Sequence, residues 1–371
     1  WATLQENNAL AKIDIATATV TAILPLGYKD HGATGNELDA SDRDNAINIK
    51  TWRGVLGMYL PDSMAAYQVK GQTYLVTANE GDARDWQGDG YIAGTGTGLL
   101  EEIRVGALLN PTGFASNTPP QLRALGAGAL LNPARFTDCG TEKTAVAVTT
   151  VCSANPLLGR LNISWTQGYQ TNADGSPKWY NAAGQVDPAG NRLMYDKLYA
   201  YGGRSISIWD AQGKQVWDSG AAIEQFLASD DCKLGAKRDI ACKTYFNSGH
   251  DATAALDARS SAKGPEPEGL AVGTIGSKTF AFVGLERMGG VLVFDITDAK
   301  APKRVDYINT RENWTTAFGA ATPPALDKVG DLGPEGLAFV PAKDSPNGKP
   351  LLLVGNEVSG STAIFQLNLA Y

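Results

Sequence analysis

Carboxylates recur in this chain at spacings that suggest a shared surface. Asp62 precedes Glu80 by 18 residues, Glu268 precedes Glu286 by 18, and Glu335 precedes Glu357 by 22. Glu6 follows a short apolar segment much as Glu80, Glu286 and Glu357 do. Seven such groups gathered together cannot all ionise without compensation, because like charges raise one another's pKa. The sequence offers two compensations: arginines Arg84, Arg204 and Arg287, or a bound hard cation. Oxygen ligands and only two histidines, His31 and His250, suit Ca2+ or Mg2+ far better than Zn2+ or Cu2+. The bland alternative is a structural set of contacts that pins strands without any metal.

A second acidic cluster, Leu38 to Asn45, places Asp39, Asp42 and Asp44 in a stretch whose oxygens could wrap a Ca2+ ion. It lacks the turn glycine and closing glutamate of an EF-hand. Asp82, in Glu80–Gly81–Asp82–Ala83–Arg84–Asp85, adds a further candidate ligand. Ser248–Gly249–His250–Asp251 looks like nucleophilic machinery, but triad members assemble in space rather than in sequence, so a plain loop is expected. The expected metal ligands are therefore Glu6, Asp39, Asp42, Asp44, Asp62, Glu80, Asp82, Glu268, Glu286, Glu335 and Glu357. Arg84, Arg204 and Arg287 are the candidate ligand- or phosphate-binding residues.

The elements that must position these groups read as strands. Period-two alternation runs through Ala11–Ile15, Ser205–Trp209 and Val291–Asp295, and long amphipathic helices are scarce, Ala221–Leu227 being the best short candidate. The strands also follow a repeated grammar. One unit leads from Pro265–Gly269 through strands at Leu270–Val272, Lys278–Leu285, Val291–Ile296 and Arg304–Ile308. Further copies start at Gly333, at Pro61, at the first residue and at Lys197, the last with Gly203–Arg204 where the others carry an acid. Four strands per copy make a β-propeller blade. The expectation is an all-β chain, a single propeller domain over 1–371, interrupted by insertions near 86–160, 163–194 and 223–262. In a blade, the loop before strand one and the loop after strand two open on the same face, which would bring the seven carboxylates to one channel mouth. Because the first copy opens inside its second strand, blades preceding residue 1 are expected, giving seven or so in a full protein.

Cysteines fall into two local pairs, Cys139 with Cys152 and Cys232 with Cys242, which read as disulfides and an oxidising compartment: extracellular, periplasmic or cell surface. Sequons at Asn162 and Asn313 lend slight support. The net charge of −7 argues against a nucleic-acid partner, since phosphate neutralisation needs a basic surface. No apolar run is long enough for a transmembrane helix.

The strings L-Q-E-N-N-A-L-A-K-I-D-I at Leu4–Ile15, T-A-N-E-G-D-A-R at Thr77–Arg84, G-P-E-P-E-G-L at Gly264–Leu270 and G-N-E-V-S-G-S-T at Gly355–Thr362 resemble the choice-of-anchor I domain. The resemblance runs over nearly the whole chain and is weakest near 105–190. It implies a secreted or surface-anchored propeller, linked in animals to mineralising cells and calcium handling. Three functions compete. The first is a non-catalytic, calcium-binding surface domain serving adhesion, a surface layer, or binding of a surface polymer, mineral or protein partner. The second is a metal-dependent phosphoesterase like the β-propeller phytases, or like the alkaline phosphatases whose label bacterial members carry. There Glu80, Glu268, Glu335 and Glu357 would hold metal and the arginines phosphate. The third is a purely structural component of a surface layer or filament.

Overall fold

The computed structural model describes residues 1–250, 255–315 and 329–369. Strands dominate and helices are few and short, so the chain is all-β. Four antiparallel sheets stand side by side in chain order. The first comprises Ala2–Leu4, Ala9–Asp14 and Thr19–Pro25. The third comprises Pro267–Ile275, Lys278–Leu285, Val291–Asp295 and Lys303–Ile308. The fourth comprises Pro334–Val340, Leu351–Asn356 and Ser361–Gln366. Alternation explains why: along Leu351–Asn356, Leu352, Val354 and Asn356 point inward while their neighbours are half-exposed.

The second sheet corrects the sequence reading. Ser63–Val69 and Gln72–Asn79 are completed by Ser205–Asp210 and Gln215–Asp218, with Ser205 opposite Asn79 and Asp210 opposite Tyr74. The copies expected at Pro61 and Lys197 are therefore one sheet split by an insertion, not two units. Gly203–Arg204 consequently does not stand at the end of a second strand. The chain leaves the sheet at Gly81 and returns at Gly202, both at positive φ, +98° and +79°. The two backbones pass so closely that a Cβ on Gly202 would strike the Glu80 carbonyl, and one on Gly81 would strike Gly202. Leu198–Tyr201, expected as a blade strand, instead runs parallel to Val55–Met58. Together with Tyr28–Asp30, Asn162–Ser164 and Glu102–Arg104 it forms a five-stranded sheet.

Three apolar layers fill the gaps between successive sheets. Leu10, Leu75 and Trp209 share the first, Val76, Ile206 and Val283 the second, and Phe282, Val291 and Val354 the third. The insertion buries a separate core that includes Trp52, Phe136, Val148, Ile163 and Tyr195. No closed ring or barrel is formed among the described residues. The helix expected near Ala221 is present as Ala222–Leu227, and Ala145–Cys152, capped by Thr144, is a helix that the sequence reading missed.

Both disulfides are formed, Cys139–Cys152 in the insertion and Cys232–Cys242 across the hairpin of Lys233–Leu234 and Ile240–Ala241. The sequon at Asn162 is inaccessible: its side chain is buried and its amide bonds Glu102. No helix among the described residues is long and apolar enough to cross a membrane.

Candidate functional site

The edge where the first strands of the second and third sheets meet is strongly acidic. Pro267–Ile275 packs against Ser63–Val69 on one side and Pro334–Val340 on the other. Close approach there depends on Gly269, where a Cβ would run into the Glu335 carbonyl. This packing brings carboxylates of different sheets together. Oxygens of Asp62, Glu80 and Glu268 lie within 4.8 Å of one another, as do those of Glu80, Glu266 and Glu286. Oxygens of Glu286 and Glu357 form a third group with a nitrogen of His250.

Charge is balanced unequally across this edge. Glu266 is fully buried and receives Arg259 Nε at 2.7 Å, Lys263 Nζ at 3.2 Å and Arg287 Nε at 3.2 Å. Burial alone would raise its pKa, but Lys263, Arg259 and Arg287 overcome that and hold it well below the usual carboxylate range. Lys263 also pairs with Glu80, whose pKa burial nonetheless pushes up to about 7. Among the described residues Glu268 has no cation of its own, and its Oε2 is buried with no hydrogen-bond partner. Burial, reinforced by the charges of Glu286, Glu80, Asp62 and Glu335, pushes its carboxyl up to about 9. Burial raises Asp62 too, and burial and the charge of Glu266 raise Glu286. A carboxylate group with an unpartnered oxygen and this much mutual repulsion is chemically suited to a hard cation.

The remaining expected acids lie further out. Glu335 is exposed at the margin, as is Glu357, the outer member of the group with His250 and Glu286. Glu6 accepts a hydrogen bond from Trp86 Nε1 at 3.1 Å, while its neighbour Gln5 reaches Glu80 at 2.8 Å. Asp82 is exposed and accepts the amide of Ala83 at 2.9 Å, close enough for its charge to act on Asp62.

The sequence matches the Choice-of-anchor I domain over residues 1–299. The chain belongs to the choice-of-anchor I domain family. A Gigasin-3a from Magallana gigas is 29% identical over 179 residues, 47% of this chain and 58% of that protein. A mesenchyme-specific cell surface glycoprotein from Strongylocentrotus purpuratus is 25% identical over 361 residues, 94% of this chain and 39% of that protein. The chain thus spans 58% and 39% of the length of these two curated relatives. No solved structure matches it. The family, the cell-surface relative and the two disulfides point to an extracellular or surface location.

In this choice-of-anchor I domain the second acidic cluster does not gather. Asp42 is held by Arg160, Nε to Oδ1 at 2.8 Å and Nη2 to Oδ2 at 3.1 Å. Asp39 turns inward and accepts the amides of Asn48 at 2.6 Å and Ser41 at 3.3 Å, and burial pushes it up to about 7. Asp44 accepts Ala46 N and Asn48 Nδ2, both at 3.2 Å. The carboxylates of Asp39, Asp42 and Asp44 form no three-ligand group within 4.8 Å. Asn48 and Arg160, which lie outside the acidic string, take the bonds that a metal was expected to take.

The candidate phosphate ligands are engaged as well. Arg84 is paired with Glu101, and Arg287 contacts Glu266, Glu286 and His250. Arg204 is buried, donating to Glu224 at 3.0 Å and to the carbonyls of Asp39 and Ser260 at 2.8 and 2.6 Å. Ser248 Oγ is buried with no partner and so does not bond His250, whose Nδ1 faces the Glu286 carbonyl at 3.2 Å. Asp251 lies outside the described residues. Sequence reasoning missed Glu266, Lys263 and Arg259, the charged centre of the site. The signal was present: Pro265–Glu266–Pro267–Glu268–Gly269 carries one acid more than Gly333–Pro334–Glu335–Gly336.

Proposed function

We propose that the chain is part of a non-catalytic, surface-displayed β-propeller that binds Ca2+ on an acidic face and presents that face to a surface polymer, mineral or protein partner. The observation that carries the reading is the convergence of Asp62, Glu80 and Glu268 with Glu268 Oε2 left unpartnered. Ca2+ is favoured over a softer metal because the central ligands are carboxylates from strand ends, spaced widely enough for a large, loosely coordinated ion. The propeller reading draws on the four sheets stacked through apolar layers, and the site lies where leading loops and strand-two exits of neighbouring sheets meet. An extracellular, periplasmic or cell-surface setting, where Ca2+ is abundant, suits both the disulfides and a weak, open site.

The test is calcium titration calorimetry on the wild type and on Glu268→Gln, with p-nitrophenyl phosphate turnover measured beside it. The reading expects binding that Glu268→Gln weakens at least tenfold and no turnover. Calcium-dependent turnover lost in Glu80→Gln would instead establish the phosphoesterase. Wild-type protein without any calcium heat would leave a structural role for the acids.

A further inference from the structure

The end of the second sheet away from the acidic face opens into a cleft of about 640 Å3. The strand Gln72–Asn79 spans the two: eight residues long, it starts in the cleft and ends beside Glu80, about 25 Å away at the usual strand rise. Three turns wall the cleft. Gln72 and Tyr74 follow the hairpin that joins the first two strands of the second sheet. Asp210, Gln212 and Lys214 come from the hairpin between Ser205–Asp210 and Gln215–Asp218. Lys300 comes from the third sheet, between Val291–Asp295 and Lys303–Ile308.

These walls are held in place by their own contacts. Asp210 Oδ1 accepts the amides of Gln212 and Lys214, both at 2.9 Å, and Asp298 Oδ1 accepts the amide of Lys300 at 2.9 Å. The Tyr74 hydroxyl donates to Gln72 Oε1 at 2.8 Å. Gly213, at φ +79°, rests so closely on the first sheet that a Cβ would lie 2.9 Å from that of Leu24. A cleft shaped in advance in this way loses little entropy on binding.

Its chemistry selects a class of ligand. Lys214 and Lys300 are exposed, and neither forms an ion pair among the described residues. Asp210 is the one carboxylate in the lining, so the cleft is locally positive in a chain whose net charge is −7. A concave surface of one sign concentrates ligands of the other. Most of the remaining lining is carboxamide and hydroxyl, groups that donate and accept hydrogen bonds as sugar hydroxyls do. The ring of Tyr74 is 8% exposed and packs against Tyr67, which leaves no open aromatic face on which a nucleobase could stack. The volume lies within the range of about 300–1,000 Å3 typical of small-ligand sites.

We propose that this cleft binds an acidic saccharide, a unit of an anionic polysaccharide, with Lys214 and Lys300 pairing its carboxylate or sulfate and Gln72 and Gln212 bonding its hydroxyls. The site is separate from the acidic face and does not rest on calcium there. With both sites occupied, the domain would hold an anionic polymer at one end of its sheets and Ca2+ at the other.

The experiment is titration calorimetry in EGTA, which removes any calcium bridge between a polyanion and the acidic face. The probes are tetragalacturonate, a heparin tetrasaccharide, neutral maltotetraose and tripolyphosphate. The proteins are the wild type, Lys214→Gln/Lys300→Gln and, as a control for loss of charge elsewhere, Lys343→Gln, each checked for an unchanged melting temperature. The wild type is expected to bind one or both acidic sugars, the double variant to bind at least tenfold more weakly, and Lys343→Gln to match the wild type. Preference for tetragalacturonate assigns the anion as carboxylate, and preference for the heparin fragment assigns it as sulfate. The inference is overturned if neither acidic sugar binds, if maltotetraose or tripolyphosphate binds as tightly, or if the double variant binds as the wild type does. Equal losses in the double variant and in Lys343→Gln would overturn it too, since they would reflect net charge rather than a site.

Discussion

Replacing Glu268 by glutamine should stabilise the calcium-free protein and destabilise the calcium-loaded one. Burial and the neighbouring acids raise the Glu268 carboxyl to about 9 against an ordinary 4.5. A carboxyl whose folded pKa is raised costs stability as pH climbs from the unfolded value to the folded one, because folding must then take up a proton. At pH 7 the climb covers about two and a half pH units at about 1.4 kcal/mol each, a ceiling of about 3.5 kcal/mol. Glu268 is only partly buried, and solvent screening brings the expected figure to about 1–2 kcal/mol. Glutamine imitates the protonated acid and escapes this cost. With chelator at pH 7, Glu268→Gln should therefore melt about 2 °C above the wild type, and at pH 4 the two should coincide. Calcium reverses the order. At a hundred times its dissociation constant, an ion bound at the face adds about 2.7 kcal/mol to the wild type and little to the variant. Differential scanning fluorimetry at two pH values, with EGTA and with CaCl2, reads all four cases. A variant that melts below the wild type in EGTA at pH 7 refutes the repulsion argument. Equal calcium shifts in the two proteins refute the ligand argument.

Three further outcomes follow from the same contacts. Glu266→Gln leaves Lys263, Arg259 and Arg287 without their shared anion and should cost about 3 kcal/mol at neutral pH by urea unfolding. Because the folded pKa of Glu266 is depressed, that deficit should shrink as pH falls below 4.5; a deficit constant down to pH 3 would show that charge is not its source. Arg204→Met strands buried Glu224 and should cost about 3–5 kcal/mol, with Arg204→Met/Glu224→Gln recovering part of it; additive losses in this cycle would contradict the pairing. Reducing both disulfides, which close 13- and 10-residue separations, should cost up to about 3 kcal/mol each, and a melting temperature unmoved by reductant would contradict that estimate.

Much of the fold is legible in the sequence because the relevant physics is local. Alternation fixes which face of Leu351–Asn356 turns inward, and cysteines 13 and 10 residues apart need only a short loop to meet. The acids before first strands and after second strands likewise inherit a common edge from the direction of the chain, which is why Asp62, Glu80, Glu268 and Glu286 come together. Strand pairing across the insertion is different. Asn79 bonds Ser205 from 126 residues away, and the entropy of closing such a loop grows so slowly with length that no local signal marks the partner. Ionisation belongs to the same class. Arg204 and Glu268 read alike in sequence, as exposed-type charges near strand ends, but one is buried against Glu224 and the other stands among acids without a cation of its own. Which carboxylates are neutralised, which are raised and which are left with an unsatisfied oxygen depends on neighbours drawn from other sheets. The sequence by itself determined the strands, the disulfides and the acidic edge; only tertiary packing decided where the counter-charges fell, because Coulomb energy depends on distance in space.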